Sequence, residues 1–136
     1  MTLDFHDTFD IGGGGSRTFV EKSAPLFSGT TNTEAREASL ASYLPDDGKV
    51  YMLCIQCQVH SSTASAGSYI NAVFDTDLTT SGAFTFGSAK TQVSGQEAVC
   101  TQVCWVPVGA GRKLSVPART NDKGTFYVTA VGYYEL

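Results

Sequence analysis

The stretch that decides the fold is Thr125-Phe126-Tyr127-Val128-Thr129-Ala130-Val131-Gly132-Tyr133-Tyr134-Glu135-Leu136. It is rich in β-branched and aromatic residues and reads as a strand. Strict alternation puts Phe126, Val128, Ala130, Gly132 and Tyr134 on one face and Tyr127, Thr129, Val131, Tyr133 and Glu135 on the other. Both faces are apolar enough to need cover, more than one sheet face requires. A strand that reaches the last residue without a polar tail is expected to dock into the body of the fold.

Working backward, Gln96 to Val108 reads as a long strand, and Pro107 confines its end to an edge or a bulge. Gly109-Ala110-Gly111 turns the chain into a short strand over Arg112 to Pro117. Thr120-Asn121-Asp122-Lys123-Gly124 predicts a hairpin turn. Further back, Lys49 to His60 is the clearest interior strand. Tyr51, Leu53, Ile55, Cys57 and Val59 share one face, and Met52, Cys54, Gln56, Gln58 and His60 share the other. Tyr69 to Thr76 is the next strand, followed by one or two short segments over Ala83 to Phe86 and Ser88 to Val93. Thr18 to Phe27 offers a first strand. Thr31 to Glu34 has a capping-box pattern, and propensity favours a short helix over Glu34 to Ala41. Pro45-Asp46-Asp47-Gly48 then forms a turn. Seven or eight strands with little helix make an all-β fold, an antiparallel β-sandwich or jelly roll.

The chain has 136 residues, enough for one domain with a core. Only 16% of residues are charged, against about 25% in an average globular domain. The net charge is −4 and the nine Lys and Arg residues are scattered, so nucleic acid is not an expected partner. No run approaches the roughly 18 apolar residues that span a bilayer, and no membrane partner is expected. The first residues lack a basic start and an apolar core of the export type. The expectation is synthesis in the cytoplasm, or delivery by a route that the sequence itself does not show.

Residues 1–24 read as an extended N-terminal arm and residues 25–136 as the sandwich domain. Leu3, Phe5, Phe9 and Ile11 are the arm's apolar anchors, and Gly12-Gly13-Gly14-Gly15-Ser16 is its hinge. Apolar residues on such an arm usually find a partner surface, the alternative being a disordered leader. A phosphate-cradling loop would require a preceding strand, a following helix and usually a Lys, and these are missing.

The cysteines fall as Cys54-x-x-Cys57 and Cys100-x-x-x-Cys104. The spacing suggests a four-thiolate zinc site, but residues three apart on a strand point to opposite faces. Buried free thiols are the favoured reading, with disulfides second. Catalysis has little to build on. The acids Asp46, Asp47, Asp75, Asp77 and Glu97 are turn or surface residues in pattern, His60 is a lone strand-end histidine, and the Asp75-x-Asp77 pair lacks the bidentate Glu of a calcium loop. No enzyme activity, cofactor or metal is expected.

Three stretches, in order, carry a resemblance. They are Leu40-Ala41-Ser42-Tyr43-Leu44-Pro45-Asp46-Asp47-Gly48 leading into Val50-Tyr51-Met52-Leu53, then Val106-Pro107-Val108-Gly109-Ala110-Gly111-Arg112, then Ala130-Val131-Gly132-Tyr133. Together they resemble the β-sandwich knob domains of bacteriophage fibre, spike and head-decoration proteins, over roughly residues 38–136. The resemblance implies a homotrimer on the virion surface and gives the two-sided strands a reason: one face for the sandwich core, one for the threefold contact. Met52, Cys54, Tyr127, Val131 and Tyr133 are then the trimer-interface candidates. The arm would attach the knob to a major capsid protein or another virion protein, as a capsid decoration or short head fibre. The alternative is a tail-fibre tip that binds a host surface glycan or protein through Tyr69, Trp105 and Tyr127. The cysteines lie outside the resemblance.

Overall fold

The computed structural model describes residues 8–10, 16–30, 36–79, 84–117 and 123–136. Among them every regular element is a strand: β1 (Thr8–Asp10), β2 (Ser16–Thr18), β3 (Val20–Thr30), β4 (Arg36–Ser39), β5 (Tyr51–Ser61), β6 (Tyr69–Thr76), β7 (Phe84–Lys90), β8 (Val99–Val108), β9 (Lys113–Val116) and β10 (Gly124–Glu135). β1 and β2 pair as a small separate ribbon. The others form two four-stranded antiparallel sheets, ordered β3-β10-β5-β8 and β4-β9-β6-β7, the β-sandwich expected from the strand pattern.

The pairing has a simple logic. β6 pairs with β7, β5 with β8, β4 with β9 and β3 with β10. The chain from β3 to β10 is therefore one long ribbon, folded back at the β6–β7 hairpin and wound so that alternate rungs fall in opposite sheets. Every other connection between β3 and β10 passes from one sheet to the other. This corrects the expected hairpin over 120–124: β9 and β10 belong to different sheets.

The core lies between the sheets. β5 contributes Tyr51, Leu53, Ile55, Cys57 and Val59, all buried, as its alternation predicted. β10 and β8 add Phe126, Val128, Ala130, Val106 and Val108; the facing sheet adds Ile70, Phe74 and Leu114. Burying each large apolar side chain contributes roughly 1.5–3 kcal/mol.

Two expectations about the chain path change. The helix over Glu34 to Ala41 is a strand where it is described: β4 pairs with β9 from Arg36↔Val116 to Ser39↔Lys113, and its burial alternates. Helix propensity is a fraction of a kcal/mol per residue, and a four-residue ladder closing the sandwich outweighs it. A tight turn follows, in which Tyr43 and Leu44 N–H groups both reach the Leu40 carbonyl, and Leu40 is fully buried. The arm boundary at residue 24 also moves. β3 runs from Val20 through it without a break and pairs with β10 as far as Tyr133↔Val20. Leu3, Phe5 and Ile11 lie outside the described residues, and Phe9 sits in β1 opposite Arg17.

Candidate functional site

The two turn-forming stretches, 45–48 and 109–112, meet at one buried cation. Arg112 follows the Gly109-Ala110-Gly111 turn with a left-handed backbone, φ 53°. Its side chain is 6% exposed. One guanidinium nitrogen donates to the carbonyls of Lys49 (2.7 Å) and Gly109 (2.8 Å). The other donates to the Pro45 carbonyl (2.6 Å) and to Asp47 Oδ1 (3.1 Å). The guanidinium also lies 5.1 Å from the Tyr51 ring centre. Asp47 is held on both oxygens, because Lys49 N–H donates to Oδ1 (3.0 Å) and the Tyr51 hydroxyl to Oδ2 (2.5 Å). A planar, permanently charged donor suits several fixed carbonyls better than an ammonium does. The group ties the two turns together, with four of its five N–H donors directed at protein acceptors.

This network couples to pH at both ends. The Tyr51 hydroxyl first, then the Lys49 N–H, hold the Asp47 carboxyl below the usual carboxylate range, and the Lys49 and Arg112 charges add to them. Tyr51 is pushed up to about 12, mainly by donating to Asp47, then by burial. A depressed carboxyl stabilises the fold above its unfolded value near pH 4, and the effect fades as pH falls through the folded value. A raised phenol stabilises below about pH 10, and the effect fades as pH climbs toward 12. Asp47→Asn is therefore expected to flatten the acid limb of a melting-temperature profile, and Tyr51→Phe the alkaline limb. A profile unchanged in either variant would show that the pair does not carry the linkage.

The other acids singled out from sequence do not join this network. Asp77 accepts the N–H of Gly109 (2.9 Å) and of Gly111 (2.8 Å), locking the turn before Arg112. A Cβ at Gly109 or Gly111 would stand 2.6 or 2.9 Å from the same carboxylate, so both glycines are required by that approach. Glu97 meets His60 Nδ1 at 3.2 Å, and His60 Nε2 is buried without a partner among the described residues. Asp46 is exposed and Asp75 half-buried on β6. Among the described residues no three His, Cys, Asp or Glu side chains are grouped to hold a metal ion. A cleft of about 450 Å³ opens beside Tyr51, Tyr133 and Tyr134, but the one acidic side chain that lines it among the described residues, Glu135, is paired with Lys49 at 3.1 Å.

All four cysteines are free thiols. Cys54 lies on the outer face of its sheet, between Gly132 and Trp105 in register. Cys57, on the opposite face, packs in the core, with half-buried Cys100 and Cys104 against it. Burial first, then the neighbouring Cys104 and Cys100, push the Cys57 thiol up to about 12. Its thiolate population is then on the order of a thousandfold below that of an ordinary thiol at the same pH. Brief iodoacetamide treatment of the native protein at pH 8 is expected to leave Cys57 unmodified, while denatured protein takes up four equivalents. Peptide mass spectrometry finding Cys57 alkylated in the native state would contradict this.

The five interface candidates do not form one surface. Val131 is the extra residue of a β-bulge: Ala130 pairs with Ile55, Gly132 already with Cys54. A bulge shifts alternation by one. Tyr133 therefore turns inward, its ring 5.7 Å from Tyr43 and 5.5 Å from Tyr51, and packs against the core. Tyr134 takes the outer position instead, 5.5 Å from Trp105. Cys54 is also withdrawn, being 4% exposed. Met52 and Val131 are half-buried, and Tyr127 stands 45% exposed on the outer face.

That outer face, of the β3-β10-β5-β8 sheet, is the candidate functional surface. Its outermost row on β8 is Val99, Val103 and Trp105, exposed by 49, 60 and 45%. Val99 and Val103 were not singled out from sequence; their even-numbered offsets from Trp105, which put all three on one strand face with Thr101 between the valines, were the available signal. Tyr69, Trp105 and Tyr127 are all partly exposed rather than core. They do not form one platform. Trp105 and Tyr127 are two strands and four residues apart, about 15 Å, and Tyr69 belongs to the other sheet. No protein-family model matches this sequence, and no curated protein matches it.

Proposed function

We propose that this chain is a structural protein of a bacteriophage particle, a capsid decoration or short head-fibre protein that works as a homotrimer and is attached by its N-terminal arm. One observation carries the proposal. The strand order β3-β10-β5-β8 and β4-β9-β6-β7 is a ribbon of four rungs wound into two sheets, which we infer to be a jelly roll. That architecture serves viral capsid proteins and lectins, so the fold supports the reading by analogy. The resemblance of the Leu40–Gly48, Val106–Arg112 and Ala130–Tyr133 stretches to phage knobs points the same way. So does the exposed apolar row Val99, Val103 and Trp105, which suits a protein whose work is contact with other proteins.

The second reading, a tail-fibre tip recognising a host glycan, is favoured by the exposed rings of Trp105 and Tyr127. Copy number separates the two. Quantitative mass spectrometry of purified particles should find hundreds of copies for a decoration protein and a handful for a tail tip. Finding none in particles would overturn both. Removal of residues 1–15 should leave a folded domain that no longer binds shells; retained binding would remove the arm from the proposal.

A further inference from the structure

β8 is the edge of its sheet among the described strands, and it is an unguarded edge. Edge strands offer a row of backbone donors and acceptors to any other strand, and soluble proteins blunt them with charges, proline, bulges or short length. The other edges here are blunted in those ways. β3 carries Glu21, Lys22 and Pro25, with two register shifts against β10. β4 has four residues, including Arg36 and Glu37. β7 has seven, with a register shift against β6 and Lys90 at its end. β8 has ten residues, Val-Cys-Thr-Gln-Val-Cys-Trp-Val-Pro-Val, none charged, in unbroken register with β5. Only Pro107 interrupts its donors, near one end.

We propose that β8 is a docking edge for β8 of a second copy, the two strands pairing antiparallel to continue the sheet across a twofold axis. The occupant follows from charge and length. Two β8 strands meet with no formal charge on either, so none of the like-charge opposition that guards the other edges arises. Each is as long as the other, so pairing centred on Gln102 or Val103 satisfies most of both edges. In either register Val99, Val103 and Trp105 of both copies fall on the same outer face, joining two exposed rows into one mainly apolar stripe interrupted by Thr101. The contact is isologous and closes after two copies. It goes beyond the proposed virion role: combined with a threefold contact, it ties trimers together in pairs.

The test is Val103→Lys, a charge placed in the middle of the open edge at a side chain that is 60% exposed, where it leaves the core untouched. Sedimentation equilibrium at about 50 μM should show the wild type at twice the mass of the variant, whether dimer to monomer or six copies to three. Equal masses would overturn the proposal, including the case in which both are trimers, a result that leaves the virion reading intact. Hydrogen exchange of the wild-type protein gives an independent reading. Amides of Val99 to Val106 should gain protection as concentration rises, and the gain should vanish in Val103→Lys. Protection that does not depend on concentration would also overturn it.

Discussion

Arg112→Ala is expected to cost about 3–5 kcal/mol of unfolding free energy, read by urea denaturation at pH 7. The side chain is buried, and its removal leaves the carbonyls of Pro45 and Lys49 without this donor, the Gly109 carbonyl with only the backbone N–H of residue 112, and Asp47 short of one contact. Each carbonyl stranded away from water costs on the order of 1–3 kcal/mol, partly recovered where water can enter. Arg112→Lys is not expected to rescue the fold. One ammonium cannot span two separate pairs of acceptors held by two nitrogens of a planar group. Arg112→Gly separates the side chain from the backbone. It loses the same contacts but relieves the left-handed φ of 53°, and should be about 1 kcal/mol more stable than Arg112→Ala. A loss below about 1 kcal/mol in Arg112→Ala would mean that the two turns are held by packing and that the guanidinium is incidental.

Arg112 also shows what the sequence makes legible and what it hides. Pro45-Asp46-Asp47-Gly48 and Gly109-Ala110-Gly111 read correctly as turns from local residue chemistry. That Arg112 links them depends on β5, β8 and β9 being brought together by pairings more than 40 residues apart in the chain, such as Tyr51↔Val108. The two faces of β5 were legible because nothing interrupts alternation there. The faces of β10 were legible only as far as Ala130. The bulge at Val131 leaves no residue signature, since valine is at home in any strand, and it exchanges Tyr133 and Tyr134 between core and surface. Strand composition reveals a sandwich, whereas strand order is set by which rungs of the ribbon meet. The short β4 was read as helix for the same reason: its Arg-Glu-Ala-Ser sequence has local helix preference, and only its partner β9 makes it a strand.

Gly132 is the second position where a single atom is expected to have a large effect. It follows the bulge, faces outward opposite Cys54 and Glu21, and is covered by the Phe19 ring. Phe19 lies between β2 and β3, is 3% exposed, and meets Trp105 edge-on at 5.7 Å. A Cβ on Gly132 would collide both with that ring and with the Val20 carbonyl oxygen. The ring can rotate or leave; the carbonyl belongs to the backbone of β3 and moves only if the β3–β10 pairing loosens. Gly132→Ala is therefore expected to cost about 3 kcal/mol, at the upper end of overpacking effects, and to raise the exposure of Trp105. Chemical denaturation followed by tryptophan fluorescence reports both at once, because Trp105 is the only tryptophan. The double variant Phe19→Ala/Gly132→Ala distinguishes the two collisions. If the ring alone were responsible, adding Gly132→Ala to Phe19→Ala would cost nothing. With the Val20 carbonyl in the way, the second substitution still destabilises, by at least about 1 kcal/mol, and the coupling between the sites stays smaller than the full Gly132→Ala effect. An additive pair would show that Phe19 and Gly132 do not share the contact, and a neutral Gly132→Ala would mean that β3 does not approach β10 this closely.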